Sequence, residues 1–270
     1  MITFEKYGAW AVVAGGSEGI GAAFASELGK AGLNLVLVAR KEGPLNDTAR
    51  EIRAQSGVEV RTLLLDLTTP DMLDRIRKVT DDIDVGLLVY NAGADSAVKP
   101  FIDRPLEDAL RLIRLNSVGQ VSLSHHFGKK MVERAKGGII IVGAMAAFAG
   151  APTHVTYGAL KSFGQTFSEG LWWEFKQHGV NVLYVAAGAT ATPAMTRLGL
   201  NNDPGRYQTA TDLATGAIAN IDRGPLYVPP HLQKLFTQFS ILERPEATQR
   251  MAAFLYSYTK AEALAAGGIK

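Results

Sequence analysis

The stretch Trp10-Ala11-Val12-Val13-Ala14-Gly15-Gly16-Ser17-Glu18-Gly19-Ile20-Gly21 decides how the rest of the chain is read. Its apolar run with two adjacent valines predicts a buried strand, and the glycines that follow end it. After Gly21 the apolar residues Ala22, Ala23, Phe24, Leu28 and Ala31 fall at helical spacing. A strand, a glycine turn and a helix in that order form the opening unit of a dinucleotide-binding sheet. Gly15 lets the chain turn sharply, Gly19 lets backbone approach a pyrophosphate, and Gly21 lets the helix pack close to the strand. The free N–H groups of the helix N-terminus face the phosphates.

Further along, the same alternation repeats. Leu33–Ala39, Val58–Leu65, Val85–Tyr90, Gly138–Val142 and Asn181–Ala187 read as buried strands. Helical patterns separate them, the longest over Pro105–Arg134 and Tyr157–Gln177, and Thr68-Thr69-Pro70-Asp71 reads as a cap opening another. Near-continuous apolar strands alternating with helices predict an α/β fold: a doubly wound, Rossmann-like parallel sheet in three layers. Ligands in such sheets sit at the carboxyl ends of the strands, where Gly15, Arg40, Asp66, Asn91, Gly143 and Gly188 fall.

With 270 residues and no repeat or Pro/Ser-rich linker, the whole chain, 1–270, reads as one domain. Residues 189–206, rich in Thr, Pro, Gly and Asn, read as a lid over the cleft. Residues 229–270 read as a C-terminal helical extension, with an amphipathic segment over about 243–264 that covers the substrate cleft or a second subunit. A net charge of +2 gives no reason to expect nucleic acid or an anionic membrane as partner. There is no cysteine, which excludes disulfides and thiolate chemistry. The first six residues lack a signal-peptide layout and no apolar run is long enough to span a bilayer, so a cytoplasmic protein is expected. The five histidines show no ligand spacing, and no metal site is expected.

Tyr157 and Lys161 lie four apart at the start of a predicted helix, on one face. An ammonium beside a phenol favours the phenolate, which suits a group that exchanges a proton with a substrate oxygen. A second pair with this spacing, Tyr256 and Lys260, follows no strand and reads as a solvated helix face.

From about Gly8 to Pro193 the chain resembles the short-chain dehydrogenase/reductase family. The resemblance rests on Gly15-xxx-Gly19-Ile20-Gly21, Asp66, Asn91-Ala92-Gly93, Asn116, Tyr157-xxx-Lys161, and Gly188 with Thr192. It implies NAD(P)(H)-dependent interconversion of an alcohol and a carbonyl. In that scheme Tyr157 is the acid/base, Lys161 holds the nicotinamide ribose, and Asn116 orders a proton-relay water. Thr190 and Thr192 lie near the nicotinamide amide and the phosphates. The opening segment, followed by Leu-Val-Ala-Arg, is similar to the 17-beta-hydroxysteroid and 3-ketoacyl reductase group. The family also implies a homodimer or homotetramer, in line with the apolar residues on more than one face of the two long helices.

The chain departs from that pattern where the family's serine, thirteen residues before the tyrosine, contacts the substrate oxygen: Ala144 stands there, flanked by Gly143 and Met145. Losing one such donor costs on the order of 10²–10³ in rate. Thr153, Thr156, His154, a water or a substrate hydroxyl are the candidate replacements. Ala14 and Ala187 replace a common threonine and proline. For the cofactor, the second strand ends in Ala39-Arg40-Lys41, cations rather than a carboxylate, which points to NADP(H). Arg40 also suits stacking on adenine. Ser17 is a further phosphate contact, while Glu18 in the same turn weighs against a phosphate. Asp66, with Leu67 beside it, reads equally as an adenine contact and as a strand-end cap. The expectation is a reductase acting on an apolar, medium-sized ketone, with Phe148, Met195, Leu198, Phe236 and Phe239 as pocket candidates. The alternatives are an NADP(H)-binding protein with little turnover, or a site retuned to another reaction.

Overall fold

The computed structural model describes residues 4–95, 99–197 and 207–256. After a short helix, α1 (Phe4–Tyr7), come β1 (Trp10–Ala14), α2 (Gly19–Lys30), β2 (Asn34–Ala39), α3 (Glu42–Ser56), β3 (Val60–Leu64), α4 (Met72–Thr80) and β4 (Val85–Tyr90). Then follow α5 (Leu106–Ile113), a π turn over Arg114–Val118, α6 (Gly119–Glu133), β5 (Gly137–Val142), α7 (Val155–Lys176) and β6 (Val180–Val185). The remainder holds β7 (Thr190–Ala191), α8 (Pro193–Arg197), β8 (Gln208–Thr209), α9 (Ala210–Ala219), β9 (Leu226–Tyr227), α10 (Gln233–Ile241) and α11 (Arg244–Tyr256).

The main sheet has seven strands in the order β3-β2-β1-β4-β5-β6-β9, every neighbouring pair parallel. The order reverses between β1 and β4, opening the crevice in which a doubly wound sheet takes its ligand. Both faces are buried because side chains alternate. Val12, Val36, Leu88, Ile139, Val182 and Tyr184 face α4, α6 and the C-terminal helices. Val13, Leu37, Val89, Ile140 and Val185 face α2, α3 and α9. Two covered faces explain why these strands read as unbroken apolar runs.

Two differences from the sequence reading bear on function. The long helix expected over Pro105–Arg134 contains the π turn, which leaves an extra carbonyl to satisfy; Leu115 C=O accepts from the buried Tyr90 hydroxyl at 2.5 Å. The lid region is partly regular: β7 pairs in parallel with β8, and α8 follows. Its residues 198–206, with Leu198, lie outside the described residues, as does the extension beyond 256, with Lys260. The C-terminal helices fold over this chain's own sheet. Phe236 of α10 packs edge-on against Phe148 at 4.9 Å, and Arg244 donates to the Phe148 carbonyl. Phe239 and Met195 are buried, Phe239 within the core.

Candidate active site

The glycine turn is held by close backbone packing. Gly15 has φ +84, and a Cβ there would lie 2.8 Å from the Ala92 nitrogen. A Cβ on Gly21 would sit 1.9 Å from the Gly15 carbonyl oxygen, so β1 and α2 approach as only glycine allows. Asn91, at the end of β4, donates through Nδ2 to that same carbonyl at 2.9 Å. The side chain of Glu18, just before α2, makes no capping bond to the helix, so the N–H groups of its first turn remain available to an anion. Ser17 is buried, with its carbonyl accepting from the Thr48 hydroxyl. Ile20 is half-buried against the α2 face of the core. Thr192 closes over the turn from the lid side: a Cβ on Gly19 would meet its Cγ2 at 3.1 Å. Thr190 is buried, donating to the Gly188 carbonyl.

Cations and carboxylates interleave at the ends of β2 and β3. Asp66 accepts from the Thr68 N–H and hydroxyl, as a strand-end cap does, and from Arg111 at 2.9 Å, with Arg40 3.7 Å away. Burial pushes its carboxyl up, but the Thr68 and Arg111 hydrogen bonds outweigh this and hold it below the usual aspartate range. Leu67 turns inward and is buried in the core. Lys41 meets Glu18 at 3.1 Å, and Arg197 of α8 donates to the same carboxylate. Arg111 and Arg197 carried no sequence signal, since their partners lie far along the chain.

Beneath the crevice, Asn116, Lys161 and Gly93 converge. A Cβ on Gly93 would lie 2.2 Å from Asn116 Oδ1 and 3.0 Å from Lys161 Nζ. Asn116 sits within the π turn, fully buried, its Nδ2 donating to the Leu112 carbonyl. Its Oδ1 is buried and finds no partner among the described residues. Lys161 Nζ lies 5.3 Å from the centre of the Tyr157 ring and donates to the Val142 carbonyl at 3.2 Å. Burial lowers this amine to about 8.

Tyr157 departs from expectation. Its phenol is pushed up, by burial first and then by the Asp95 carboxylate, rather than drawn down by Lys161. Desolvation disfavours the charged form of both partners, although an amine at about 8 remains mostly an ammonium at neutral pH. Asp95 itself forms a buried ion pair with Arg104, 2.8 Å at each of two contacts. This pair, close enough to act on Tyr157, went unseen in the sequence. His154 packs edge-on against Tyr157 at 5.8 Å, and its Nδ1 lies 3.0 Å from the hydroxyl of Thr153. Thr153 is buried with φ +62, an unusual conformation for a β-branched residue. Burial lowers the His154 pKa, so its imidazole is neutral near pH 7. At Ala144 only backbone polar groups are offered. Among the described residues there is no cluster of side chains able to hold a metal, and no helix is long and apolar enough to cross a membrane.

A 7beta-hydroxysteroid dehydrogenase of Clostridium sardiniense is 33% identical over 189 residues, covering 70% of this chain and 72% of that protein. A structure described as giving insights into 7beta-hydroxysteroid dehydrogenase stereoselectivity superposes with a TM-score of 0.86 at 26% identity, covering 93% of this chain and 99% of that one. A short-chain dehydrogenase from Sphingobium yanoikuyae, solved in complex with NADPH, superposes with a TM-score of 0.75 at 29% identity, covering 89% and 99%. The sequence profile of the short chain dehydrogenase family matches residues 9–203. The chain therefore belongs to the short-chain dehydrogenase family, as a nicotinamide-dependent oxidoreductase acting on the CH–OH/C=O couple.

Proposed function

We propose that this protein is an NADP(H)-dependent reductase of an apolar, medium-sized ketone, or runs the reverse alcohol oxidation, with Tyr157 as the proton donor. The observation that carries the reading is the convergence of Tyr157, the Lys161 ammonium and, beside Gly93, an Asn116 Oδ1 with no partner among the described residues. The glycine turn and the free N–H groups of α2 would hold the pyrophosphate, with Thr192 and Thr190 on the lid side. Arg40 and Lys41 would hold the 2′-phosphate, Asp66 and Leu67 would border the adenine, and Lys161 would hold the ribose. When bound, NADPH supplies the two electrons and the hydrogen that reach the carbonyl carbon. Tyr157 gives a proton to the carbonyl oxygen as that carbon is reduced. The phenol is protonated at neutral pH, the form a proton donor needs. Asn116 Oδ1 would accept from the water through which Tyr157 recovers its proton.

Ala144 supplies no side-chain donor to the substrate oxygen, and this favours a second reading in which the cofactor binds but redox turnover is slow or the reaction differs. His154, packed against Tyr157, and Thr153, whose hydroxyl meets the His154 ring, are candidates to supply the missing donor. The segment 189–206 would act as the substrate lid. Half-exposed apolar residues on α5, α6 and α7, among them Ile113, Val121 and Phe163, would be covered in a homodimer or homotetramer. Light scattering would show which.

NADPH oxidation at 340 nm across ketones and diketones tests the reading with wild type, Tyr157→Phe and Ala144→Ser. Turnover abolished in Tyr157→Phe supports a reductase. A gain in Ala144→Ser identifies the missing hydroxyl as rate-limiting. Tight NADPH binding with no turnover by wild type or Ala144→Ser overturns the reductase in favour of the second reading.

A further inference from the structure

We propose that Tyr184, paired with Gly143, is a positioning residue that fixes the Lys161 ammonium through the backbone at the end of β5. The proposal deepens the reductase reading and rests on it for its kinetic arm.

Gly143 follows β5, immediately before the alanine that stands at the serine position. A Cβ there would fall 1.8 Å from Tyr184 Cζ and 2.0 Å from its hydroxyl oxygen, so the phenol of β6 fills the space a side chain would need. No flexible side-chain tip could yield, because a tyrosine ring held within a buried core moves only with its strand. Glycine at 143 and tyrosine at 184 are therefore one packing solution.

The phenol hydroxyl is committed at both ends. It accepts from the Ala144 N–H at 3.0 Å and donates to the Lys161 carbonyl at 3.0 Å, with the Ala144 carbonyl a longer alternative at 3.4 Å. Burial pushes the Tyr184 phenol up, so it keeps its proton across the working pH range. Lys161 returns the link from its other end, Nζ donating to the Val142 carbonyl at 3.2 Å. Residues 142–144 and Lys161 are thus joined at two points, one through the ammonium and one through Tyr184. The Gly143 N–H is held by the Val185 carbonyl, and the Met145 N–H by the Ala187 carbonyl. Between them, the Ala144 N–H has Tyr184 as its partner. Removing that hydroxyl leaves a half-buried N–H unsatisfied and frees the 142–144 backbone to shift, taking the Val142 carbonyl away from Lys161.

The consequence is electrostatic as well as geometric. The Val142 carbonyl accepts from the amine, a contact that by its geometry favours the charged form, while burial opposes it. Weakening that contact lowers the Lys161 pKa further and moves the ammonium relative to Tyr157.

Tyr184→Phe tests this while keeping the ring that fills the space at Gly143. Its kcat is expected to fall roughly 10- to 100-fold, as for a small misplacement of reacting groups. The alkaline limb of its pH profile is expected to move down by roughly one unit. Lys161 labelled for NMR should titrate correspondingly lower, a readout that needs neither cofactor nor turnover. In wild type the Ala144 amide should exchange slowly although it lies beyond the strand. A Tyr184→Phe protein that loses only thermal stability, with kcat and the Lys161 titration unchanged, overturns the proposal. So does fast exchange of the Ala144 amide, which decides the matter even where the variant fails to fold. Wild type without carbonyl turnover sinks the reductase reading alone, since the titration and exchange arms remain.

Discussion

Arg197 of α8 reaches back 179 positions to Glu18 in the glycine turn, Nη1 lying 2.9 Å from Oε2. The same carboxylate meets Lys41 at 3.1 Å. Burial raises the Glu18 pKa, but the Arg197 and Lys41 hydrogen bonds outweigh it and keep the group ionised. Glu18 thereby occupies a cation proposed for the cofactor's 2′-phosphate and ties α8 to the turn. Glu18→Gln removes the competing charge and should tighten NADPH binding about fivefold, the scale of one partly exposed ion pair. NADH binding should hardly change. Fluorescence titration with both cofactors checks this, and an equal effect on the two would place the role of Glu18 away from the phosphate.

Arg111 has a related part at Asp66. It holds the carboxylate at 2.9 Å while Arg40 stays at 3.7 Å, so Arg40 is the less committed cation. Arg40→Ala should weaken NADPH binding roughly 10- to 100-fold, the scale of charge-assisted hydrogen bonds, and leave NADH nearly unaffected. Arg111→Leu should weaken NADPH by a smaller factor, because Asp66 then draws in Arg40. The ratio of the two dissociation constants in each variant is the measurement.

The titration of Lys161 sets a third expectation. Its amine is lowered from the usual 10.5 to about 8 by burial, so the ammonium is lost above that pH. Reductase activity should decline with an apparent pKa near that value in the cofactor-free enzyme, read from kcat/KM against pH. The stability sign is opposite. Between about 8 and 10.5 the unfolded chain keeps a proton that the folded chain has released, so this group makes stability rise with pH in that window. Denaturant midpoints of wild type and Lys161→Met across the window isolate the contribution.

Much of the frame was legible in the sequence because it rests on local patterns. The residues of β1 and β4 match their expected spans, since buried parallel strands carry unbroken apolar runs ended by polar residues. Gly15 and Gly21 could be read because backbone approach leaves glycine no substitute, and Gly93 through the family resemblance alone. What escaped was held by contacts distant in the chain. The π turn that presents Asn116 interrupts a pattern whose apolar spacing is otherwise helical. Arg111 and Arg197 carry no motif, and Tyr184 is indistinguishable from any core residue of a strand until Gly143 is seen against its ring. Spacing reports proximity but not desolvation, so the burial that raises the Tyr157 phenol could not be read from the pair.

The Asp95–Arg104 pair gives the last expectation. Its side chains are 6% and 8% exposed, and two contacts of 2.8 Å join them. Arg104 Nε is buried with no partner among the described residues. Removing one member of such a pair leaves the other charge desolvated and costs about 3–5 kcal/mol. Arg104→Met should therefore lower the denaturation midpoint strongly. Replacing both, as Asp95→Leu with Arg104→Met, should recover much of the loss, since the desolvated charge is then gone. The single variant also has an effect at the site. The Asp95 carboxylate, no longer offset by the guanidinium, pushes the lowered His154 pKa back up and the raised Tyr157 pKa higher, and both titrations should move up together. NMR of the His154 ring follows the first, and denaturant unfolding follows the stability. A full loss of stability with no movement of His154 would make the pair purely structural, while both effects together would tie the buried charges to the reacting tyrosine.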